Sequence, residues 1–216
     1  MSDQHYPEML RNYHKAPQAI YYKGDHALFN APCIAIIGTR EPTELGKNIA
    51  YRIAQFFARE GYTIVSGLAR GIDTAAHRGT LSVAGGRTIA ILGTSLRNIY
   101  PRENTQLAHE IAERGLLYTE YDTDTYEPKR FFERDHLQAA QSIAVIPVQA
   151  GADSGTLHTV RSAIKQKRKL LIPQPVQADY EQYPERYRGI MDLIANKQGT
   201  VFLGKQDYPK LLELLG

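Results

Sequence analysis

The sequence predicts an α/β fold with a doubly wound, mostly parallel sheet that carries helices on both faces. Two observations favour this class. From residue 32 onward, short apolar runs rich in Ile and Val recur along the chain, and segments with helical spacing of apolar residues separate them. Strands covered on both faces read as continuous apolar runs, so this alternation indicates repeated strand-helix-strand units.

Six apolar runs before residue 174 are predicted as strands, at 33–37, 62–66, 88–92, 116–121, 143–147 and 169–173. Between the first two, apolar residues recur at helical spacing from Leu45 to Phe57, and Gly61 is placed to end that helix. Prolines and mixed charge predict an irregular connection over 174–188, followed by a helix near 189–196. A strand at 200–203 and an amphipathic tail at 208–215 complete the domain.

Length and composition limit the classes of protein. The 216 residues suit one domain, predicted at 31–216, with residues 1–30 as an N-terminal extension that packs on it. The 26 Lys and Arg against 23 Asp and Glu give a net charge of +3, which permits an anionic partner without requiring one. Cys33 is the only cysteine, and no apolar run reaches the ~20 residues that span a bilayer. We therefore expect a cytoplasmic protein without a membrane segment.

Small residues follow four of the predicted strands. Because ligands of open parallel sheets bind beyond the carboxyl ends of the strands, these loops are the candidate site. Two of the loops add an arginine to their glycines, and arginine is a fork-shaped donor that suits phosphate oxygens. The loops are Gly38-Thr39-Arg40, the run from Ser66 through Gly67, Arg70 and Gly71 to Asp73, Gly93-Thr94-Ser95, and the run from Gly151 through Ser154 and Gly155 to Thr156.

The loops predict a phosphate cradle, although glycines also end strands for steric reasons alone. Residues 39–43 after Gly38 do not continue the G-x-G-x-x-G spacing, which disfavours a classical NAD-dependent dehydrogenase. No serine lies in a G-x-S-x-G turn, and no second histidine or carboxylate stands at metal-ligand spacing from His77. The residues therefore indicate neither a catalytic group nor a metal site.

Three further features have a structural interpretation beside a functional one. His77 follows Asp73 by four residues on a predicted helix, and a structural pairing is the favoured interpretation. The basic run 165–169 could contact nucleic acid or could be the solvated end of a helix. In the run 129–134, basic residues alternate with Phe131 and Phe132, which could stack on bases or could be core residues that open a helix.

The chain resembles the DNA-processing protein A family, also called DprA or Smf, within the Rossmann-like domains of the lysine-decarboxylase and LOG type. The resemblance covers roughly residues 5–175 and follows the family's order of motifs. The S-G-x-A-x-G-I-D element is the most specific of them. The matching motifs are Tyr6-Pro7, Tyr22-Lys23-Gly24-Asp25, Ile36-Ile37-Gly38-Thr39-Arg40, residues 66–73, Ala76-His77-Arg78-Gly79, residues 86–90, Tyr100-Pro101 with Glu103-Asn104, and residues 154–157.

The resemblance implies a non-enzymatic protein that binds and protects single-stranded DNA, forms a homodimer, and helps to load a RecA-class recombinase during natural transformation. It implies no cofactor. By position, Arg40 and Arg70 would line the DNA pocket, Phe131 would stack on a base and Arg134 would contact phosphate. The remaining expected DNA or phosphate contacts are Gly38, Thr39, Ser66, Gly67, Gly71, Asp73, Ser154, Gly155 and Thr156.

The chain departs from the family in the segment 131–136. Where the family reads F-P-x-R-N-R, residues 131–136 place Asp135 for the asparagine and His136 for the second arginine, which weakens the positive field of the pocket. A nucleotide-binding or nucleotide-sensing role is the alternative, and an unrecognised enzyme is a third reading. The nucleotide-cleaving relatives carry a glutamate where this chain has Thr159, and a hydroxyl cannot replace that carboxylate as a base.

Overall fold

A central sheet organises the molecule. The computed structural model describes residues 6–11 and 13–216. Helices pack on both faces of the sheet, so the predicted α/β, doubly wound and Rossmann-like class is confirmed. The strands are β1 (Tyr21–Gly24), β2 (Cys33–Ile37), β3 (Thr63–Ser66), β4 (Thr88–Ile91), β5 (Leu116–Thr119), β6 (Ala144–Pro147), β7 (Lys169–Pro173) and β8 (Thr200–Phe202).

The strand order is β1-β5-β4-β3-β2-β6-β7-β8. All neighbouring pairs described are parallel except β1 with β5, where Tyr21 lies opposite Thr119 in an antiparallel register. After β2 the chain adds β3, β4 and β5 on one side, and it then crosses back to add β6, β7 and β8 on the other. The order therefore reverses between β2 and β6, and this is the point where open α/β sheets form a crevice for ligands.

The described helices cover the two faces as separate groups. On one face, α2, α3 and α9 pack on the sheet through one apolar cluster and α4 packs through another. On the other face, α1, α5, α6 and α8 share a third cluster. The helices are α1 (Glu8–Arg11), α2 (Glu44–Arg59), α3 (Ile72–Leu81), α4 (Thr105–Arg114), α5 (Lys129–Ala140), α6 (Thr156–Lys165), α7 (Gln177–Gln182), α8 (Pro184–Ala195) and α9 (Tyr208–Leu215).

Alternation along β2 shows how the strands join the two layers. All five of its residues are buried; Cys33, Ala35 and Ile37 contact the layer of α5, α6 and α8, whereas Ile34 and Ile36 contact the layer of α2 and α3. Each fully buried Ile contributes roughly 1.5–3 kcal/mol relative to an exposed one. The middle of the sheet is thus a rigid support for the loops that leave its carboxyl edge.

The predicted first helix is confirmed as α2. Thr43 caps its start because the side-chain oxygen accepts a hydrogen bond from the amide of Gly46 at 3.0 Å. Gly61 follows its end with φ +84°, the left-handed conformation that glycine adopts without steric cost. The tail helix has the predicted bounds, and β8 ends one residue earlier than predicted.

The structure corrects the prediction of an irregular connection over 174–188. This segment contains α7 and the first turns of α8, which begins at Pro184 rather than near Gly189. Proline is compatible with the first turn of a helix because that position needs no intrahelical N–H. Pro184 therefore marks the start of α8 and does not indicate an irregular segment.

The sequence analysis also missed β1, whose four residues are all exposed and carry no alternating apolar pattern. The strand belongs to the predicted N-terminal extension, of which residues 1–5 and 12 lie outside the described part. Leu10, Leu28 and Phe29 from the same segment are buried in the cluster of α5 and α6. The described part of the extension thus completes one edge and one face of the sheet, and a domain boundary at residue 30 stays a prediction.

Candidate nucleic-acid interface

The candidate site is a cavity of about 370 Å³ at the carboxyl edge, between the loops that follow β2 and β6. We call it the switch-point cavity because it opens where the strand order reverses. Of the predicted site residues, nine line it together with Gln138 and Thr159. They are Gly38, Thr39, Arg40, Asp73, Phe131, Arg134, Ser154, Gly155 and Thr156.

Close backbone approach holds the loop after β2 in place. The amide of Thr39 donates to the carbonyl of Gln149 at 2.8 Å, and the amide of Ile72 donates to the carbonyl of Thr39 at 3.2 Å. At Gly71, φ is +75°, and an added Cβ would lie 2.5 Å from the oxygen of Thr39. Only glycine therefore allows α3 to begin this close to the loop that presents Arg40.

Asp73 organises the loop after β3. Its Oδ2 accepts hydrogen bonds from the amides of Gly67 at 3.1 Å and Ala69 at 3.3 Å. Burial raises the pKa of this carboxyl, while Arg134 and the two amides act in the opposite direction. Asp73 faces the cavity, but its carboxylate accepts bonds from the protein's own backbone, so its place in the structure is that of a positioning residue.

Four predicted contact residues do not line the switch-point cavity; Gly67 and Arg70 line a smaller slot beside it, whereas Ser66 and Gly71 line neither. Ser66 is fully buried and its hydroxyl donates to the carbonyl of Ile36 at 2.7 Å, which ties β3 to β2. Gly71 serves the loop geometry described above. In both cases a position at the end of a strand suggested a ligand contact, whereas the atoms are used within the fold.

Arg134 is the central cation of the site. It lies on the inner side of α5 with 3% of its surface exposed, and its guanidinium packs directly on Gly67. Nε lies 3.5 Å from Oδ1 of Asp135, an ion pair without a hydrogen bond. Among the described residues, neither Nε nor Nη1 has a hydrogen-bond partner. A buried cation with unpaired N–H groups beside a cavity is a candidate anion-binding group.

The start of α6 adds a second source of positive potential. Ser154, Gly155 and Thr156 lead into this helix at the cavity wall, and the hydroxyl of Ser154 accepts a hydrogen bond from the amide of Thr156 at 3.3 Å. The amides of a helix N-terminus carry partial positive charge and favour bound anions. The cavity thus combines a fixed guanidinium with a helix N-terminus.

A smaller slot of about 40 Å³ adjoins the cavity, and aromatic and arginine side chains line it. Its lining includes Gly67, Arg70, Tyr100 and Pro101 together with Arg40, Phe131 and Arg134. The rings of Tyr100, Tyr126 and Phe131 lie 5.2 to 5.8 Å apart, centre to centre. The guanidinium carbon of Arg40 lies 5.7 Å from the centre of the Phe131 ring. Aromatic faces beside cations are the elements on which unpaired bases stack.

Sequence reasoning missed this aromatic group except for Phe131. Tyr100-Pro101 was recognised only as a motif, and Tyr126 lies in a segment without regular pattern between β5 and α5. Of the two phenylalanines considered as core residues, Phe131 is buried, whereas Phe132 is 53% exposed. No periodicity could identify Tyr126, because its position depends on where an irregular loop folds back.

The two outer arginines differ in their partners. Arg70 forms an exposed ion pair with Glu103 at 2.7 Å, and such pairs contribute little to stability. Arg40 is exposed and forms no ion pair among the described residues. Arg40 is therefore immediately available for an anionic ligand, and Arg70 becomes available when its contact with Glu103 opens.

His77 has a structural place, as we favoured, but its hydrogen-bond partner is Thr88 and not Asp73. It is fully buried in α3, and its Nδ1 lies 2.8 Å from the hydroxyl of Thr88, which itself donates to the carbonyl of Ile64. Burial lowers the pKa of His77 to about 3, so the ring is neutral at pH 7. His77 lines neither the switch-point cavity nor the slot beside it.

No group of three or more His, Cys, Asp or Glu side chains within residues 6–11 and 13–216 is arranged to hold a metal ion. Over the same residues, no helix combines the length and apolarity needed to cross a bilayer.

A Rossmann-like domain with an anion-receptive cavity and an adjoining aromatic slot is the class that fold and site define. Comparison with known proteins specifies the family. The model of DNA recombination-mediator protein A matches residues 1–213, and the chain belongs to that family. Protein Smf of Synechocystis is 42% identical over 167 residues, and DNA processing protein DprA of Bacillus subtilis is 37% identical over 172 residues.

These relatives are longer proteins. The matches cover 74% and 79% of this chain but only 42% and 58% of the Smf and DprA chains. A solved structure of DNA processing protein A from Helicobacter pylori, described for its binding of single-stranded DNA, superposes with a TM-score of 0.86 at 31% identity. That superposition covers 96% of this chain and 93% of the other.

The contact between Gly67 and Arg134 is directly testable. A Cβ at residue 67 would lie 1.4 Å from Nη1 of Arg134, so Gly67→Ala must displace the buried guanidinium. We expect a loss of about 1–3 kcal/mol in the free energy of unfolding, measured with urea. Gly155→Ala is the matched control, because its Cβ would meet Phe132 at an ordinary 3.5 Å and its φ is −53°. Equal stability of the two variants would contradict the packing described.

Proposed function

We propose that this chain binds single-stranded DNA in the switch-point cavity and the aromatic slot. The observation that carries the proposal is the buried guanidinium of Arg134, which shares the cavity with the N-terminus of α6. Its Nε and Nη1 have no hydrogen-bond partner in the described part of the chain. A phosphate oxygen would satisfy these donors. The adjoining aromatic rings supply faces for unpaired bases, which a site for inorganic phosphate alone would not require.

Each side chain has a part in this proposal. Arg134 receives a phosphate inside the cavity, and Arg40 and Arg70 attract the backbone at its mouth. Phe131 stacks on a base. The backbone of Gly38, Thr39, Gly67, Ser154, Gly155 and Thr156 lets the strand approach closely, while Ser66, Gly71 and Asp73 hold the loops that present these contacts.

The outer arginines provide the test. Each phosphate contact on a single strand changes the slope of log K against log salt by about 0.7. We expect Arg40→Ala and Arg70→Ala each to weaken binding of a labelled oligothymidylate and to reduce the slope by about that amount. Glu103→Gln, which releases Arg70 from its ion pair, should tighten binding. Fluorescence anisotropy at several salt concentrations measures both quantities.

The exposed Arg59→Ala on α2, which lies on the opposite face of the sheet, is the matched control for lost charge. If Arg40→Ala and Arg70→Ala behave like this control, the two arginines are not part of the site. If the wild-type chain binds a free mononucleotide and no oligonucleotide, the nucleotide-binding alternative replaces the proposal.

Asp135 gives the site a dependence on pH. Its carboxyl is nearly buried, and burial raises its pKa to about 7; the charge of Asp73 acts in the same direction, whereas Arg134 opposes it. Above that pKa an ionised carboxylate faces the cavity and repels phosphate. Below it the carboxyl is neutral, so the affinity for DNA should rise as the pH falls through 7.

Asp135→Asn should therefore bind more tightly than wild type at pH 8 and show a shallower pH dependence. The wild-type affinity should change by up to about tenfold per pH unit near the pKa. His77 and His136, with pKa values lowered to about 3 and about 4, do not titrate in this range. The exposed Asp153→Asn is the control, and a pH profile unchanged by Asp135→Asn would contradict this role.

We propose further that the chain acts by binding and not by catalysis. Thr159, which takes the position of the glutamate in nucleotide-cleaving relatives, is buried at the cavity wall and offers no carboxylate. Loading of a RecA-class recombinase in natural transformation is part of the same proposal, supported by membership in the recombination-mediator family. A cytoplasmic location fits the single cysteine, whose thiol is buried and free.

Self-association through β8 and α9 completes the proposal. No described strand pairs with the outer edge of β8, and Val201, Leu203 and Leu214 are exposed there. An unpaired edge beside apolar side chains is a template for pairing with a second copy. A homodimer would also bring two DNA sites onto one strand and so raise the effective concentration.

Light scattering at several protein concentrations tests the dimer. We expect Val201→Lys to shift the mass toward a monomer, since an edge lysine opposes strand pairing. Val176→Lys introduces the same change at an exposed valine that follows β7, on the paired side of β8 rather than at its outer edge, and should leave the mass unchanged. A wild-type mass of one chain at high concentration would contradict the proposal.

A further inference from the structure

A second and larger cavity lies on the other side of α5. Its volume is about 740 Å³, and we call it the outer cavity. Four permanent cations line it, from the N-terminal segment, from α6 and from the connection to β7: Lys15, Arg161, Lys165 and Arg168. Glu133 is the one acidic residue among the described lining, and its Oε2 already accepts a hydrogen bond from the hydroxyl of Tyr121 at 3.0 Å.

The outer cavity contains unpartnered polar atoms. Nε of Arg168 and Nδ1 of His136 are buried, and neither has a hydrogen-bond partner within residues 6–11 and 13–216. Lys15, Arg161 and Lys165 are exposed, and none forms an ion pair with any described residue. Cations without carboxylate partners around a concave surface indicate a polyanionic ligand.

Helix α5 lies between the two cavities and contributes side chains to both. Arg134 and Phe131 project to the switch-point cavity, whereas His136 projects to the outer cavity. Phe132 lines both, and its exposed ring lies 5.3 Å from the ring of His158 in an edge-to-face arrangement. An exposed aromatic pair therefore lies at the boundary between two basic cavities.

α6 serves the two cavities in sequence. Its first residue, Thr156, lines the switch-point cavity, and His158, Arg161 and Lys165 line the outer one. These three residues are spaced by three and four, so they share one face of the helix. From Thr156 to Lys165 the helix rises about 13 Å, which is long enough to guide a strand past more than one phosphate.

We propose that the outer cavity is a second segment of the DNA path. A strand that leaves the switch-point cavity passes over Phe132, where a base stacks beside His158. Its next phosphates contact Lys15, Arg161 and Lys165, with Arg168 at the floor of the cavity. This inference rests on the proposed function and extends it, because it assigns the binding of a longer strand to residues outside the first site.

Phe132, which lines both cavities, favours single-stranded DNA over an acidic protein segment as the occupant of the outer cavity. A flexible strand held in the first cavity carries both phosphates and bases, and these match the cations of the outer cavity and the ring pair at its entrance. An acidic peptide would use the cations but would leave the exposed ring of Phe132 and its place in both cavities unexplained.

The test compares oligothymidylates from about 4 to about 16 nucleotides, the range of site sizes seen in single-strand-binding grooves. The variant replaces Lys15, Arg161 and Lys165 by glutamine. It should bind the shortest strand like wild type, bind the longest more weakly, and reduce the salt slope for the longest by about 2. The control carries Arg52→Gln, Arg59→Gln and Lys205→Gln, which remove the same charge from the opposite face of the sheet.

A change to Phe132 separates stacking from charge. Phe132→Leu removes the ring and should lower the affinity for the long strand about fivefold or more, while Phe132→Tyr should restore it. Equal losses at every length, or the same behaviour as the control, would overturn the outer cavity as part of the path. Failure of the wild-type chain to bind even the shortest strand would instead overturn the proposed function itself.

Discussion

The arrangement of the site depends on one buried cation. Arg134 lies almost without exposure on Gly67, and an isolated charge at such depth costs several kcal/mol relative to water. Two carboxyl groups oppose that cost, and they also fix the loops. The carboxylate of Asp73 accepts hydrogen bonds from the amides of Gly67 and Ala69, and Oδ1 of Asp135 lies 3.5 Å from Nε of Arg134.

The guanidinium of Arg134 is the group through which the loop after β3 meets helix α5. A change at either element therefore reaches the other. The price of such pre-organisation is a guanidinium that the protein leaves incompletely hydrogen-bonded.

The position of that cation follows from the order of the strands. Reversal between β2 and β6 leaves a crevice that no crossover helix fills, and the loops after β2 and β6 form its two sides. α5 precedes β6 and α6 follows it, so both helices reach the crevice from the same face of the sheet. The inner side of α5 carries Arg134 and Phe131 as a consequence, and its outer side carries Phe132 and His136. One helix therefore serves two concave surfaces of opposite orientation.

The strands and their terminal loops were predictable because each depends on local pattern. Buried parallel strands such as β2 and β7 read as apolar runs, and the glycines after them follow from steric limits. β1 was not predictable, since an exposed antiparallel edge strand needs no apolar alternation. At Ser66, local pattern predicted a ligand contact because a small polar residue ends a strand. In the structure its hydroxyl donates a hydrogen bond to the backbone carbonyl of Ile36. The ionisation of Asp135 could not be predicted, because it depends on burial between residues that are distant in the sequence.

The two cavities differ in how their positive charge is held and in whether an acid lies beside it. Asp135 makes this difference important for a ligand that would occupy both cavities. In the switch-point cavity a fixed guanidinium and a helix N-terminus act at short range, but a carboxyl with a pKa near 7 lies beside them and reduces the net positive field. The outer cavity has long, exposed side chains whose attraction acts through counterion release and is weakened by salt. On the proposed path, a phosphate at Arg134 would gain orientation because its donors are already immobile. Phosphates at Lys15, Arg161 and Lys165 would add affinity without fixing register, since flexible cations tolerate many backbone positions. An acid beside the central arginine would then weaken the binding of a short strand more than that of a long one, and strand length would become the property that the two cavities distinguish.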